Sequence, residues 1–151
     1  MKKLLFICGG KDFHAMDKFS LIVERMGVSN VILITDTIEG ENQKSLIKKE
    51  YILKKLFIID RFTLKKQIKF GNTLRNIVKL LLLPIQVLKL KIIFNEYKPV
   101  VVHALPMYYM FLCYLARIPY IGTPQASEIL IRQKKSKFYK YFTKKILKNC
   151  S

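Results

Sequence analysis

The chain has 151 residues, of which 51% are hydrophobic, and a formal net charge of +18 at pH 7. This length fits one domain with its own core, and the hydrophobic content excludes a disordered chain. Residues 1–60 hold 10 basic and 8 acidic side chains, whereas residues 61–151 hold 18 and 2. The asymmetry indicates an anionic partner, either a membrane surface or nucleic acid. A lysine-rich compositional bias without function is the alternative.

The first half alternates short apolar runs with a helical pattern. Gly9-Gly10 closes the first run, and Gly27 supplies a helix stop signal. The apolar run at the N-terminus is too short for a signal peptide and is typical of a buried strand. The elements predicted here are a strand at 3–8, a helix at 13–26, and strands at 30–35 and 55–60.

The second half continues the alternation. Lysines and Pro84 interrupt residues 77–94, so no transmembrane segment is predicted, and Pro84 predicts a kink or break. Apolar strands between helices favour an α/β, Rossmann-like doubly wound fold, with a mainly parallel sheet of five or so strands in one domain over 1–151. The predicted elements are a helix at 72–95, a strand at 100–105, a helix at 107–117, a strand at 118–123 and a helix at 136–149.

Several familiar kinds of site are excluded by the sequence. Cys8, Cys113 and Cys150 are widely separated, which fits reduced thiols in a cytosolic protein. With only two histidines, no metal-ligand spacing exists. The sequence also lacks a GxGxxG fingerprint, a Walker A motif and a GxSxG elbow.

Polar residues follow the predicted strands at their carboxyl ends, where open α/β sheets bind ligands. A glycine pair before a helix favours an anion, although it also suits a simple turn. Alternatively, Asp12 serves as a helix N-cap and has no ligand role. His14 is either an acid–base group or an ordinary surface residue, and His103 is either an acid–base group or an ordinary core residue. The candidate substrate-binding residues are Gly9, Gly10, Asp12, His14, His103, Thr123, Gln125, Ser127 and Glu128.

Two segments combine basic and apolar residues without any acid. Each of the stretches 61–95 and 132–148 contains eight basic side chains interleaved with Leu, Ile, Phe and Tyr. Basic amphipathic helices bind anionic lipid surfaces, so a peripheral position at the inner face of the membrane is expected. The alternative is a solvated outer face whose apolar side packs on the sheet. Nucleic acid is the less favoured partner, because Lys dominates over Arg and no binding motif is present.

The stretch KPVVVHALPMYYMFLCYLARIPYIGTPQASEIL, residues 98–130, resembles the N-terminal domain of family-4 glycosyltransferases of the GT-B fold. Gly9-Gly10 is similar to that family's glycine loop after the first strand. The family's His-Gly pair is replaced by Gln125-Ala126, and no catalytic residue is assigned. The residues of this stretch that match the family pattern are Lys98, Pro99, His103, Ile118, Pro119, Thr123, Ser127, Glu128 and Leu130.

The resemblance implies the acceptor-binding half of a two-domain enzyme. Such an enzyme transfers a sugar, with retention, from a nucleotide-sugar to a sugar or lipid-linked acceptor in bacterial cell-surface polysaccharide synthesis. The nucleotide-sugar donor belongs to a C-terminal domain or partner chain, so no cofactor is expected in this chain, which alone is expected to be inactive. The alternatives are a membrane-docking subunit of a split glycosyltransferase and a basic nucleic-acid-binding module.

Overall fold

The computed structural model describes residues 3–9, 12–35, 52–55, 77, 80–132, 134 and 136–150. Strands and α-helices alternate along these ranges, except that the second strand is followed by the third with only residues outside the described ranges between them. A short 3₁₀ turn (Val28–Asn30) and a π-helical segment (Glu128–Arg132) join them. The main elements are β1 (Leu4–Cys8), α1 (Phe13–Met26), β2 (Val31–Thr35), β3 (Ile52–Lys55), α2 (Leu83–Tyr97), β4 (Val101–Ala104), α3 (Met107–Ala116), β5 (Ile121–Gly122) and α4 (Lys137–Lys148).

The strands form one parallel sheet in the order β3-β2-β1-β4-β5. β1 lies at the centre, where Leu4 is opposite Val31 of β2 and Val101 of β4. All five β1 residues are buried, as expected for a strand covered on both faces. The prediction of an α/β domain with a mainly parallel sheet is therefore confirmed.

Alternate residues of the strands divide the core into two layers. Leu5 and Ile7 face the layer formed with α2, α3 and α4. Phe6 and Cys8 face the layer formed with α1, whose largest buried side chain is Phe19. Side chains of a strand point alternately to opposite faces, so one strand supplies both layers. His103 contacts Phe6 and therefore lies on the α1 side of the sheet.

Two strands differ from the sequence prediction, and one predicted helix break is confirmed. β3 ends at Lys55, where the prediction of 55–60 began; residues 56–60 lie outside the described residues. β5 has two residues rather than the predicted six, because proline at 119 and 124 has no N–H to donate to a ladder. The predicted break at Pro84 is confirmed: a turn at Leu82 separates the helical residues 80–81 from α2, and Pro84 occupies its first turn.

No helix in the described ranges is long and apolar enough to cross a membrane. Cys8, Cys113 and Cys150 form no disulfide with one another; Cys8 and Cys113 are buried, and Cys150 is partly exposed.

Candidate functional site

Asp12 joins the loop after β1 to the loop after β5. One carboxylate oxygen, Oδ1, accepts a hydrogen bond from Ala15 N at 3.1 Å and caps α1. The other, Oδ2, accepts from Gln125 Nε2 at 2.7 Å. Asp12 is therefore the predicted N-cap and also the partner of a second candidate residue, 113 positions away in the sequence.

His103 is the central polar group of β4. Its Nε2 lies 2.9 Å from Thr123 Oγ1, just beyond the end of β5. The ring also meets the edge of Phe6, with centroids 5.2 Å apart. Burial, and secondarily the charge of Lys18 on α1, lower the pKa of His103 below its ordinary value of 6.5. The imidazole is thus held neutral near pH 7 and can accept a proton.

The backbone places these two pairs on the same sheet edge. Thr123 N donates to Ala104 O at 3.1 Å, which fixes the end of β5 beside the end of β4. Asp12 N donates to Gly9 O at 3.0 Å, which turns the chain directly after β1. Four of the predicted residues, Asp12, His103, Thr123 and Gln125, therefore project from adjacent parts of the carboxyl edge. They offer a carboxylate, an imidazole, a hydroxyl and an amide, which suit a ligand with several hydroxyl groups.

Glu128 has a structural part in the same region. Its side chain is 3% exposed, and Oε2 accepts from Met107 N at 2.9 Å and Gln125 N at 3.1 Å. The first bond serves the N-terminus of α3, where Pro106 offers no side-chain cap. The second reaches back three residues, as the glutamate of a capping box does. The carboxylate thus ties the loop after β5 to α3 and is not exposed at the rim of the site.

The remaining predicted site residues are more peripheral. His14 is exposed in the first turn of α1, and Ser127 is exposed after Gln125. A Cβ added to Gly9 would lie 3.7 Å from Tyr109 Oη, an ordinary contact, so close packing does not require glycine there. Gly10 lies outside the described residues.

Two features of the site were missed by sequence reasoning. Lys18 affects His103 although it lies on α1, and only the folded chain brings the two together. The capping role of Glu128 had a signal, namely its spacing of three residues after Gln125. Among the described residues, no group of His, Cys, Asp and Glu could hold a metal ion.

The described residues form an open α/β domain in which polar side chains lie together at the carboxyl ends of the strands. The chain matches no protein-family model, no curated protein and no solved structure.

Proposed function

We propose that the chain is the acceptor-binding, N-terminal half of a glycosyltransferase of GT-B architecture, acting in cell-surface polysaccharide synthesis. The observation that carries this proposal is the pairing of Asp12 with Gln125 and of His103 with Thr123 at one sheet edge. Ligands of open α/β sheets bind at this edge. Of these four residues, His103 and Thr123 match the family-4 pattern within residues 98–130. Gln125 lies in the same stretch where the family has His, and Asp12 follows the Gly9-Gly10 loop.

The roles of the residues follow from their chemistry. The Asp12 carboxylate and the Gln125 side-chain amide would form hydrogen bonds with hydroxyl groups of the sugar acceptor. Neutral His103 would accept a hydrogen bond or a proton from an acceptor hydroxyl, with Thr123 orienting the ring. The nucleotide-sugar would be held by a second domain or partner chain, which closes over this edge.

A membrane position at the cytoplasmic face is part of the proposal. Helical residues Leu81, Ile85, Leu88 and Ile92 are 72%, 47%, 60% and 63% exposed and follow helical spacing. Ile85, Leu88 and Ile92 form an outward-facing apolar stripe on α2, whose opposite side is buried, and Leu81 precedes the turn at Leu82. An exposed stripe of this kind marks an interaction surface, and lysines beside it favour anionic lipid.

The test is transfer of radiolabel from a panel of nucleotide-sugars to membrane lipids, using protein from the complete reading frame. His103→Gln and Gln125→Ala should each lower transfer about tenfold or more, because each removes a polar contact to the acceptor. Ser29→Ala, an exposed change in the turn before β2, is the matched control. Transfer at the wild-type rate by both site variants would refute the assignment.

The exposed α2 stripe also favours a second candidate, a membrane-docking subunit that recruits a separate catalytic chain. Co-purification of a second chain from membranes, dependent on Leu88 and Ile92, would favour it over the first. Isolation of an active single chain would exclude it. Titration of the protein with DNA and with anionic vesicles over a range of salt distinguishes both from a nucleic-acid-binding module.

A further inference from the structure

A cavity of about 230 Å³ lies between α3 and α4, away from the hydrogen-bonded pairs at the sheet edge. It belongs to the layer of the core on the opposite side of the sheet from α1. Its wall is mainly aromatic and aliphatic. The apolar lining residues are Met107, Tyr108, Phe111, Tyr139, Phe142 and Ile146.

The cavity opens to the surface. Tyr108, Phe111, Tyr139 and Phe142 are each only half-buried, whereas Met107 and Ile146 are buried at its base. Pockets that enclose a whole drug-sized ligand measure roughly 300–1,000 Å³. A volume of 230 Å³ therefore suits one end of a longer apolar molecule.

The polar groups that line the cavity make the binding of an anion inside it unfavourable. Glu128 lines it, and the carboxylate of this residue is already held by Met107 N and Gln125 N. Thr143, 1% exposed, also lines the cavity, and Tyr108 and Tyr139 add hydroxyl groups to its aromatic wall. Among the residues that the structure describes, no positively charged side chain lines the cavity, so an entering phosphate would meet the Glu128 carboxylate without compensation from them. The part of a ligand that enters must be uncharged.

The outer surface of α4 has the opposite character. This helix supplies four of the lining residues and carries five lysines and no acid. Lys140 and Lys144 are exposed beside the turn that carries Phe142. Exposed lysines attract a phosphate at the surface. An apolar cavity and a basic outer surface on one helix match a molecule with an apolar chain and an anionic head.

We propose that this cavity binds the end of the apolar chain of a phosphate-bearing lipid, with the phosphate against the lysines of α4. The proposal rests on the lipid-linked acceptor of the proposed function and adds a place for the chain of that lipid. The bound chain and the sugar site would then lie on the two sides of the Glu128 carboxylate.

The test uses decyl phosphate below its micelle concentration and protein labelled with ¹³C at the methionine methyl groups. The Met107 methyl should shift with saturable dependence on decyl phosphate, because it lines the cavity. The Met26 methyl, exposed at the end of α1, should not shift. Inorganic phosphate should leave Met107 unchanged, and decanol should bind more weakly than decyl phosphate. Equal shifts at both methyls, or none, would overturn the proposal.

Two sets of variants test separately whether the cavity and whether the lysines of α4 contribute to binding. Thr143→Leu fills the cavity and should weaken decyl phosphate binding at least about tenfold. Phe142→Ala, at a half-buried position that tolerates truncation better, should weaken it several-fold. Lys140→Gln with Lys144→Gln should weaken decyl phosphate about tenfold and leave decanol unchanged. Lys18→Gln, on the other side of the sheet, is the control. Wild-type binding by both cavity variants would overturn the assignment.

The outcome can be distinguished from that of the proposed function. Sugar transfer to lipid by a protein that does not bind decyl phosphate would overturn the cavity assignment alone. Decyl phosphate binding by a protein that transfers no sugar would overturn the glycosyltransferase assignment alone.

Discussion

The two faces of the sheet carry layers of different surface character. On one face, α1 exposes a mixture of acidic and basic side chains, with two of each along the helix. On the other face, α2 and α4 together carry seven lysines and one glutamate, and α2 adds the exposed apolar stripe. Both layers bury their inner sides against the strands.

The difference shows how a sequence asymmetry becomes a spatial one. The excess of charge in residues 61–151 belongs, in the described helices, to one side of the sheet. The crossover after β1 places α1 on one face, and the later helices occupy the other. A protein with one neutral face and one basic, apolar face would lie on an anionic membrane in a single orientation.

The largest expected effect separates the two sides of α2. Leu90→Ala should lower the free energy of unfolding by about 2–5 kcal/mol, because Leu90 is fully buried in the core. Leu88→Ala should change it by no more than about 0.5 kcal/mol, because Leu88 is 60% exposed. Urea denaturation of the two variants measures both values. Equal losses would show that the outer stripe is also covered in the folded protein.

The next effect compares the two faces directly. Replacing Lys140, Lys144 and Lys148 with Gln should weaken binding to phosphatidylserine vesicles on the order of a hundredfold at low salt, because each lysine contributes about 1 kcal/mol near the surface. Replacing Lys18 and Arg25 on α1 should weaken it only a few-fold. Vesicle sedimentation measures both affinities. Similar losses on both faces would indicate attraction by net charge without a preferred orientation.

A smaller effect tests whether Glu128 serves the fold. Glu128→Ala should cost about 2 kcal/mol, because the N–H groups of Met107 and Gln125 lose a buried acceptor. Glu128→Gln keeps an acceptor oxygen and should cost about half as much. Thermal denaturation followed by circular dichroism checks the order of the two variants. If Glu128→Ala weakened binding of the sugar acceptor without lowering stability, Glu128 would be a ligand contact and not a structural residue.

Much of the fold was predictable because local patterns and tertiary packing agree. Gly27 and the apolar spacing before it set α1 correctly, and its buried side faces the sheet. The third strand was predicted to begin at Lys55, whereas β3 begins at Ile52 and lies at the edge of the described sheet. Lys54-Lys55 interrupt the apolar run, and a charged edge strand is missed by a search for apolar runs. The helix predicted to end at 95 continues to Tyr97 and stops where Lys98 is left-handed.

The site was predicted less completely than the fold. Placing candidates at strand ends found Asp12, His103, Thr123 and Gln125, because the topology alone brings those ends together. It did not find which side chains pair, since the Asp12–Gln125 bond depends on the geometry of two loops. It also predicted a ligand contact for Glu128, which stays a prediction, and it did not find the two backbone hydrogen bonds that Glu128 accepts. A buried carboxylate that bonds two backbone N–H groups can be separated from a ligand contact only in three dimensions.

The smallest effect concerns the only described strand residue that can titrate near neutral pH, His103. Because burial and Lys18 lower its pKa in the folded protein, the unfolded chain binds more protons between that value and 6.5. The stability is therefore complete above about pH 6.5 and falls as the pH drops toward the folded pKa. His103→Gln should remove this part of the slope, measured by urea denaturation from pH 5 to 7.

Lys18→Gln sharpens the same test. It removes the secondary cause, so the His103 pKa should rise, and a proton NMR titration of the imidazole measures the change. Glu24→Gln, farther along the same helix, is the matched control and should leave the titration in place. A His103 pKa that does not respond to Lys18 would mean that burial alone keeps the imidazole neutral. In that case α1 would affect His103 through burial and not through the charge of Lys18.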